Sequence, residues 1–251
     1  MLEFQNITVT LGNKKILDNV SFSIQKGRIC VLLGKNGSGK STLINTVTNA
    51  VKYKGNVRIF DESLRDFSAR GRAKLVSVFP QILPETSFTV KELVSFGRNP
   101  YVSSMGMLSL YDRRSVAEAI DRVGISDLSD RTVLNLSGGE RQKAFFAMML
   151  AQDTPFMILD EPSTYLDSVS KRELYSLVKT CTAEYGKTVL IVLHDLSDVL
   201  EIADDIAVID AGKLTFFGEV KKALDDQIIE KTFSVRRFDC SENGGKRIFF
   251  A

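Results

Sequence analysis

Nine consecutive residues, Gly34-Lys35-Asn36-Gly37-Ser38-Gly39-Lys40-Ser41-Thr42, have the spacing G-x-x-x-x-G-K-[ST] of a loop that holds phosphate. The glycines let the backbone curl so that its N–H groups face one anion. The N-terminus of a following helix adds its positive dipole end. Lys40 would reach the β- and γ-phosphates of a nucleotide, and the Ser41 hydroxyl would ligate Mg²⁺. A Gly-rich turn between a strand and a helix is the plain alternative. The apolar run Ile29 to Leu33 before the loop and the periodic Leu43, Ile44 and Val47 after it favour the phosphate loop.

Other groups could complete such a site. Phe156-Met157-Ile158-Leu159-Asp160-Glu161 is an apolar strand ending in two carboxylates. Asp160 would hold Mg²⁺, usually through its water shell, and Glu161 would act as general base on the attacking water. Ser137, Gly138 and Gly139 open a helix within Leu136-Ser137-Gly138-Gly139-Glu140-Arg141-Gln142. They read equally as a second anion-ready terminus or as an ordinary cap by Ser137. Gln81 follows a core strand and Pro80; its amide could ligate the metal or the attacking water, or it is simply a loop residue. His194 is the single histidine. It ends an apolar strand just before Asp195, where it could hydrogen-bond a γ-phosphate or merely start a helix.

Strands and helices must place these groups. Leu2 and Phe4 alternate, then Ile7, Val9 and Leu11, with a phase slip near Gln5-Asn6 that indicates a bulge. Val20, Phe22 and Ile24 form a second alternating strand. These two suggest an antiparallel layer beside a parallel core. Short strands follow at Val57 to Ile59 and Leu75 to Phe79. From about 84 to 151 helices dominate. Thr89-Val90-Lys91-Glu92 is a capping box, Asp112 can cap a second helix, and a third runs from Gly139 to Ala151. Strand and helix then alternate: Phe156 to Leu159, about Ser168 to Cys181, Val189 to Leu193, Asp195 to Ile202, Ile206 to Ile209. The class is α/β, a single domain over 1–251 with a mostly parallel sheet, an antiparallel β layer and an inserted helical subdomain.

Composition narrows the setting. A formal net charge of +2 makes no electrostatic case for nucleic acid. No apolar run approaches the roughly 20 residues of a membrane span, and the N-terminus lacks a signal-peptide pattern. Cys30, Cys181 and Cys240 are scattered without C-x-x-C spacing, which suits a reducing cytoplasm. A peripheral membrane partner is compatible with all of this.

Taken together, the motifs resemble the ATP-binding-cassette ATPases over nearly the whole chain. GKNGSGKST looks like the Walker A loop, Gln81 the Q-loop and LSGGERQ the signature motif. FMILDE looks like the Walker B strand, Ser163 to Asp167 the D-loop and His194 the switch histidine. The resemblance implies a P-loop, RecA-like core that binds ATP with Mg²⁺. It also implies a head-to-tail dimer in which Ser137, Gly138 and Gly139 of one copy close over the γ-phosphate on the loop of the other. TVKELVSFGRNPY, LAQDTPFMILDEPSTYLD and KTFSV are similar to the ATPases of iron–siderophore, ferric-citrate, haem and vitamin B12 importers, with iron chelates foremost. Such a subunit would sit on the cytoplasmic face of the membrane. It would serve integral-membrane permease subunits and, indirectly, an extracytoplasmic substrate-binding protein. Haem, cobalamin or a non-transport role in cofactor assembly are the alternatives.

The chain departs from this family at Leu11-Gly12, where an aromatic residue usually stacks on adenine, and at Glu140, where glutamine is commoner. Stacking of a base on an aromatic ring is worth about 1–3 kcal/mol. Leu11→Tyr is therefore expected to tighten ATP binding; an unchanged or weaker dissociation constant by titration calorimetry refutes that placement of adenine.

Overall fold

The computed structural model describes residues 1–102, 106–164, 166–242 and 245–250, and the side chains of 239–247 fall outside that description. Tyr165 of the D-loop stretch and the Cys240 side chain thus lie outside the described residues. The chain divides into two compact units, Met1–Asp66 with Thr188–Ala251, and Phe67–Lys187.

In the first unit, β1 (Leu2–Leu11) and β2 (Lys14–Ile24) pair antiparallel. Leu2, Phe4, Ile7 and Val9 are buried, and the change of phase between Phe4 and Ile7 is a register shift. Asn6 takes φ 52° there, its N–H donates to Ser21 Oγ at 2.8 Å, and the Ser21 hydroxyl returns a bond to Asn6 Oδ1. The bulge anticipated from the alternation keeps both halves of β1 facing the core. β3 (Ile29–Leu33) is buried at every position and runs into α1 (Lys40–Val47). β4 (Lys54–Ile59) joins the free side of β1, and the two-residue β5 (Glu62–Ser63) completes the order β2-β1-β4-β5.

The second unit holds α2 (Ala69–Ala73), β6 (Val76–Phe79), α3 (Val90–Ser95), α4 (Leu110–Arg122), α5 (Gly138–Ala151), β7 (Phe156–Asp160) and α6 (Ser168–Ala183). Thr89 and Glu92 form the expected capping box of α3. For α4 the expectation is corrected. Ser109 is the N-cap, and Asp112, three residues on, is its capping-box partner. A serine at that place was available in the sequence, but the apolar face begins only at Val116 and drew the start inward. Asp112 has a second task. Arg98 is buried, donates Nε–H to Asp112 Oδ1 at 2.9 Å and Nη1–H to the Ala151 carbonyl at 2.7 Å, and stacks over Tyr101 at 3.9 Å. Gly97 beside it permits the approach, since a Cβ there would meet the Met148 carbonyl at 2.2 Å. Arg98 therefore ties α3, α4 and α5 together from inside.

The chain returns to the first unit with β8 (Thr188–Val192), α7 (Leu196–Ile202), β9 (Asp205–Asp210) and β10 (Lys213–Glu219). β8 and β9 flank β3 in parallel, and β10 closes the edge antiparallel to β9. Arg28 grips Asp205 through two bonds of 2.6 and 2.8 Å, and Asp204 accepts the Ile29 N–H at 2.8 Å. These contacts set the register of β3 against β9 and so the height at which β3 delivers the loop. Phe22 packs on Phe217, and the Asp18 N–H bonds the Gly212 carbonyl, which joins the antiparallel layer to the parallel strands. Two short helices, α8 (Val220–Asp225) and α9 (Ile228–Phe233), lead to a hairpin of β11 (Arg237–Glu242) and β12 (Gly245–Phe250). Among the described residues no helix is long and apolar enough to cross a membrane.

Side chains at Arg98 and Asp112 are only 3% and 8% exposed. Removing the cation strands a buried carboxylate, which costs about 3–5 kcal/mol. Arg98→Ala is expected to lower the urea midpoint accordingly, and an Arg98→Leu, Asp112→Leu pair to regain most of it. Burial by itself would raise the Asp112 carboxyl, but bonds from Ser109 and Arg98 outweigh it and hold the group below its ordinary range. Its contribution is thus complete above the unfolded value of about 3.9 and is lost as pH falls through the lower folded value. Urea midpoints measured across that acid range in wild type and in the double variant will isolate this loss.

Candidate active site

β3 ends at Leu33 and hands the chain to Gly34, where a Cβ would meet the Ile209 carbonyl oxygen at 2.3 Å and Ser38 Oγ at 2.5 Å. At the other end Gly39 takes φ 108°, and a Cβ there would press on Leu17 Cδ2 at 2.6 Å. Gly37, at φ 75°, turns the exposed tip that Asn36 shares. The loop is thus a cradle that side chains would fill. Gly39 is also the N-cap of α1, and no side chain caps the first turn and no acid lies in it. The positive end of α1 is therefore uncompensated from within the helix. Lys40 is buried, its Nζ donating to the Gly34 carbonyl at 2.7 Å and the Lys35 carbonyl at 3.2 Å. The Ser38 hydroxyl is buried without a hydrogen-bond partner among the described residues. A buried ammonium, an orphaned hydroxyl and an uncapped helix start suit one ligand, a multiply charged phosphate. Ser41 is exposed and Thr42 half-buried at the head of α1.

His194 follows β8, which pairs in parallel with β3 so that Val192 lies beside Leu32. Both strands thus exit on the same edge, the carboxyl edge at which open α/β sheets bind ligands. His194 is exposed, and Asp195 after it caps α7 by accepting the Ser197 N–H at 2.9 Å. Leu11, at the end of β1, is 51% exposed.

In the second unit β7 ends at Asp160, and Glu161 takes φ 52°, a left-handed backbone that a non-glycine residue adopts at a cost of order 1–3 kcal/mol. Such strain belongs where geometry serves chemistry. Gln81 donates its amide Nε2–H to Glu161 Oε2 at 2.5 Å. The two line a cleft of about 320 Å³ with Ile82, Gly138, Arg141 and Gln142, and Arg141 Nε is buried there without a hydrogen-bond partner among the described residues. The sequence offered Gln81 toward metal or water; this contact with Glu161 spans 80 residues and no local pattern announces it.

Ser137 caps α5. Its Oγ accepts the Glu140 N–H at 3.3 Å, while its own N–H and hydroxyl both donate to Glu140 Oε2 at 2.8 Å. The Ser137 backbone N–H and then its hydroxyl hold the Glu140 carboxyl below the usual range. The capping reading of Ser137 is therefore realised within the chain, with Gly138 exposed beside it. A Cβ at Gly138 would meet nothing within 4 Å, so its surface is open. In the D-loop stretch, Asp167 caps α6 and Ser163 Oγ accepts the Tyr175 hydroxyl at 3.0 Å.

Each expected metal ligand, the Ser41 hydroxyl in the first unit and the Asp160 carboxylate and Gln81 amide oxygen in the second, carries a hard oxygen of the kind Mg²⁺ takes. Among the described residues no group of three or more His, Cys, Asp or Glu could hold a metal by itself.

Residues 17–164 match the family model described as ABC transporter. The chain is 33% identical over 237 residues to the iron(3+)-hydroxamate import ATP-binding protein FhuC of Bacillus subtilis (strain 168), covering 93% of this chain and 88% of that one. It is 35% identical over 239 residues to the achromobactin transport ATP-binding protein CbrD of Dickeya dadantii (strain 3937), covering 94% and 87%. The dimeric post-hydrolysis structure of the cassette MJ0796 bound to ADP and Pi superposes with a TM-score of 0.75 at 26% identity, covering 88% of this chain and 99% of that one. The chain belongs to the ABC transporter family, as one of its ATP-binding, ATP-hydrolysing cassettes.

Proposed function

We propose that this chain is the motor subunit of an importer for an iron–siderophore or related iron chelate. It works on the cytoplasmic face of the membrane through separate permease subunits, with an extracytoplasmic substrate-binding protein delivering the cargo. One observation carries the cargo assignment: relatives named for iron-hydroxamate and achromobactin transport match more than nine-tenths of the chain. Exposed Phe88 and Phe96, edge to face at 4.9 Å, and Ile82, 81% exposed, offer apolar footing for a permease helix.

In this reading the backbone of Gly34 to Gly39, with Asn36 and Ser38, cradles the phosphates, and Thr42 supports the head of α1. Lys40 exchanges its carbonyl partners for β- and γ-phosphate oxygens. Ser41, Asp160 and Gln81 would hold Mg²⁺, which when bound neutralises charge developing on the phosphate oxygens. Glu161 takes a proton from the attacking water, and His194 hydrogen-bonds the γ-phosphate. Ser137, Gly138 and Gly139 of a second copy complete the site head to tail, a reading supported by the dimeric relative and by the open surface at Gly138.

Glu161→Gln is expected to lower turnover at least about 100-fold, the scale of a lost general base, and to leave an ATP-bound dimer on gel filtration. Undiminished phosphate release removes Glu161 from that role. A chromosomal Lys40→Ala variant should abolish uptake of ferric siderophore in cells; loss of haem or vitamin B12 uptake instead reassigns the cargo.

A further inference from the structure

We propose that Gln81 is a brake on Glu161: its amide N–H ties up the carboxylate oxygen that must accept the proton of water, and turnover requires that this bond break. The inference rests on the reading of Glu161 as general base.

The contact follows from the sheet. β6 and β7 run parallel with Phe79 beside Leu159, so two residues further on Gln81 comes alongside Glu161. The bond is 2.5 Å long and ends on a carboxylate, the stronger class of hydrogen bond. Both ends are placed for it. Glu161 is held in left-handed backbone, its carbonyl accepting the Thr164 N–H at 3.3 Å, and Gln81 follows Pro80, whose ring fixes the local φ. The accessible part of the device is the segment beyond. Ile82 is 81% exposed, and with Leu83 it lines the same cleft as Glu161, so a body pressing on Ile82 would draw Gln81 off the base.

In the reaction the oxygen of water forms a bond to the γ-phosphorus as the bond from that phosphorus to the ADP oxygen breaks. The water proton passes to Glu161 and then to solvent. A carboxylate oxygen already receiving an N–H is a poorer acceptor. An interaction present in the ground state and lost in the transition state raises the barrier without tightening the productive complex. Gln81 is in this sense a positioning residue, and its amide oxygen serves the metal only once its N–H has left Glu161.

Gln81→Glu tests this, because it keeps an oxygen for the metal while replacing the donor with a like charge. In steady-state hydrolysis by the full chain with Mg²⁺ and ATP, kcat is expected to rise about three- to tenfold with KM for ATP little changed. A kcat at or below wild type, with Glu161→Gln inactive alongside, overturns the brake. An active Glu161→Gln instead overturns the assignment of the base on which the inference depends. The Gln81→Ala variant, lacking both donor and ligand, should fall below Gln81→Glu; equal rates would deny Gln81 its metal role and leave the brake as its whole contribution.

Discussion

The loop from Gly34 to Gly39 has no room for a side chain at either end, and much of the first unit is arranged around that constraint. Gly34 lies against the Ile209 carbonyl and Gly39 against Leu17, so β9 and β2 form the walls of the phosphate cradle. The Arg28–Asp205 pair and the Asp204–Ile29 bond fix β3 against β9, and an error of one residue there would move the cradle off its wall. Close packing at both ends is what lets a Gly-rich segment present its N–H groups to one point.

Several groups assigned to the chemistry already have partners inside the chain. Lys40 bonds two carbonyls of its own loop, Ser137 bonds Glu140, and Gln81 bonds Glu161. In the proposed function, binding and catalysis are exchanges of hydrogen bonds. Their net energies are therefore smaller than the gross strength of any new contact, since each bond gained replaces one lost. Exchange also gives control, because whichever segment carries the first partner can withhold the group. The clamp on Glu161 belongs to that logic.

The second unit is braced differently. Arg98 reaches Asp112, the Ala151 carbonyl and the face of Tyr101, so a buried charge holds three helices. An ion pair of this kind adds little net stability over an apolar core. Its geometric demands do fix where α3, α4 and α5 meet, and α5 carries the signature residues at its start. Arg98 faces inward, whereas Phe88 and Phe96 of the same unit are exposed.

Much of the fold was legible in the residues because it depends on local rules. Alternation located the strands and the bulge at Asn6, Gly spacing located the phosphate loop, and the T-x-x-E pattern located the start of α3, while Ser137 read equally as a cap or as an anion-ready terminus. The order of the motifs was enough to identify the family. Asp112 was misread as a cap because apolar periodicity marks where a helix becomes buried, not where its hydrogen bonding begins; Ser109 stands a turn earlier. Tertiary structure alone decided the partners of Arg98, the walls behind Gly34 and Gly39, and the bond between Gln81 and Glu161. Each of these joins residues far apart in the chain. The helix packing and strand register that bring them together are settled by the packing of whole faces, which no short stretch of sequence contains.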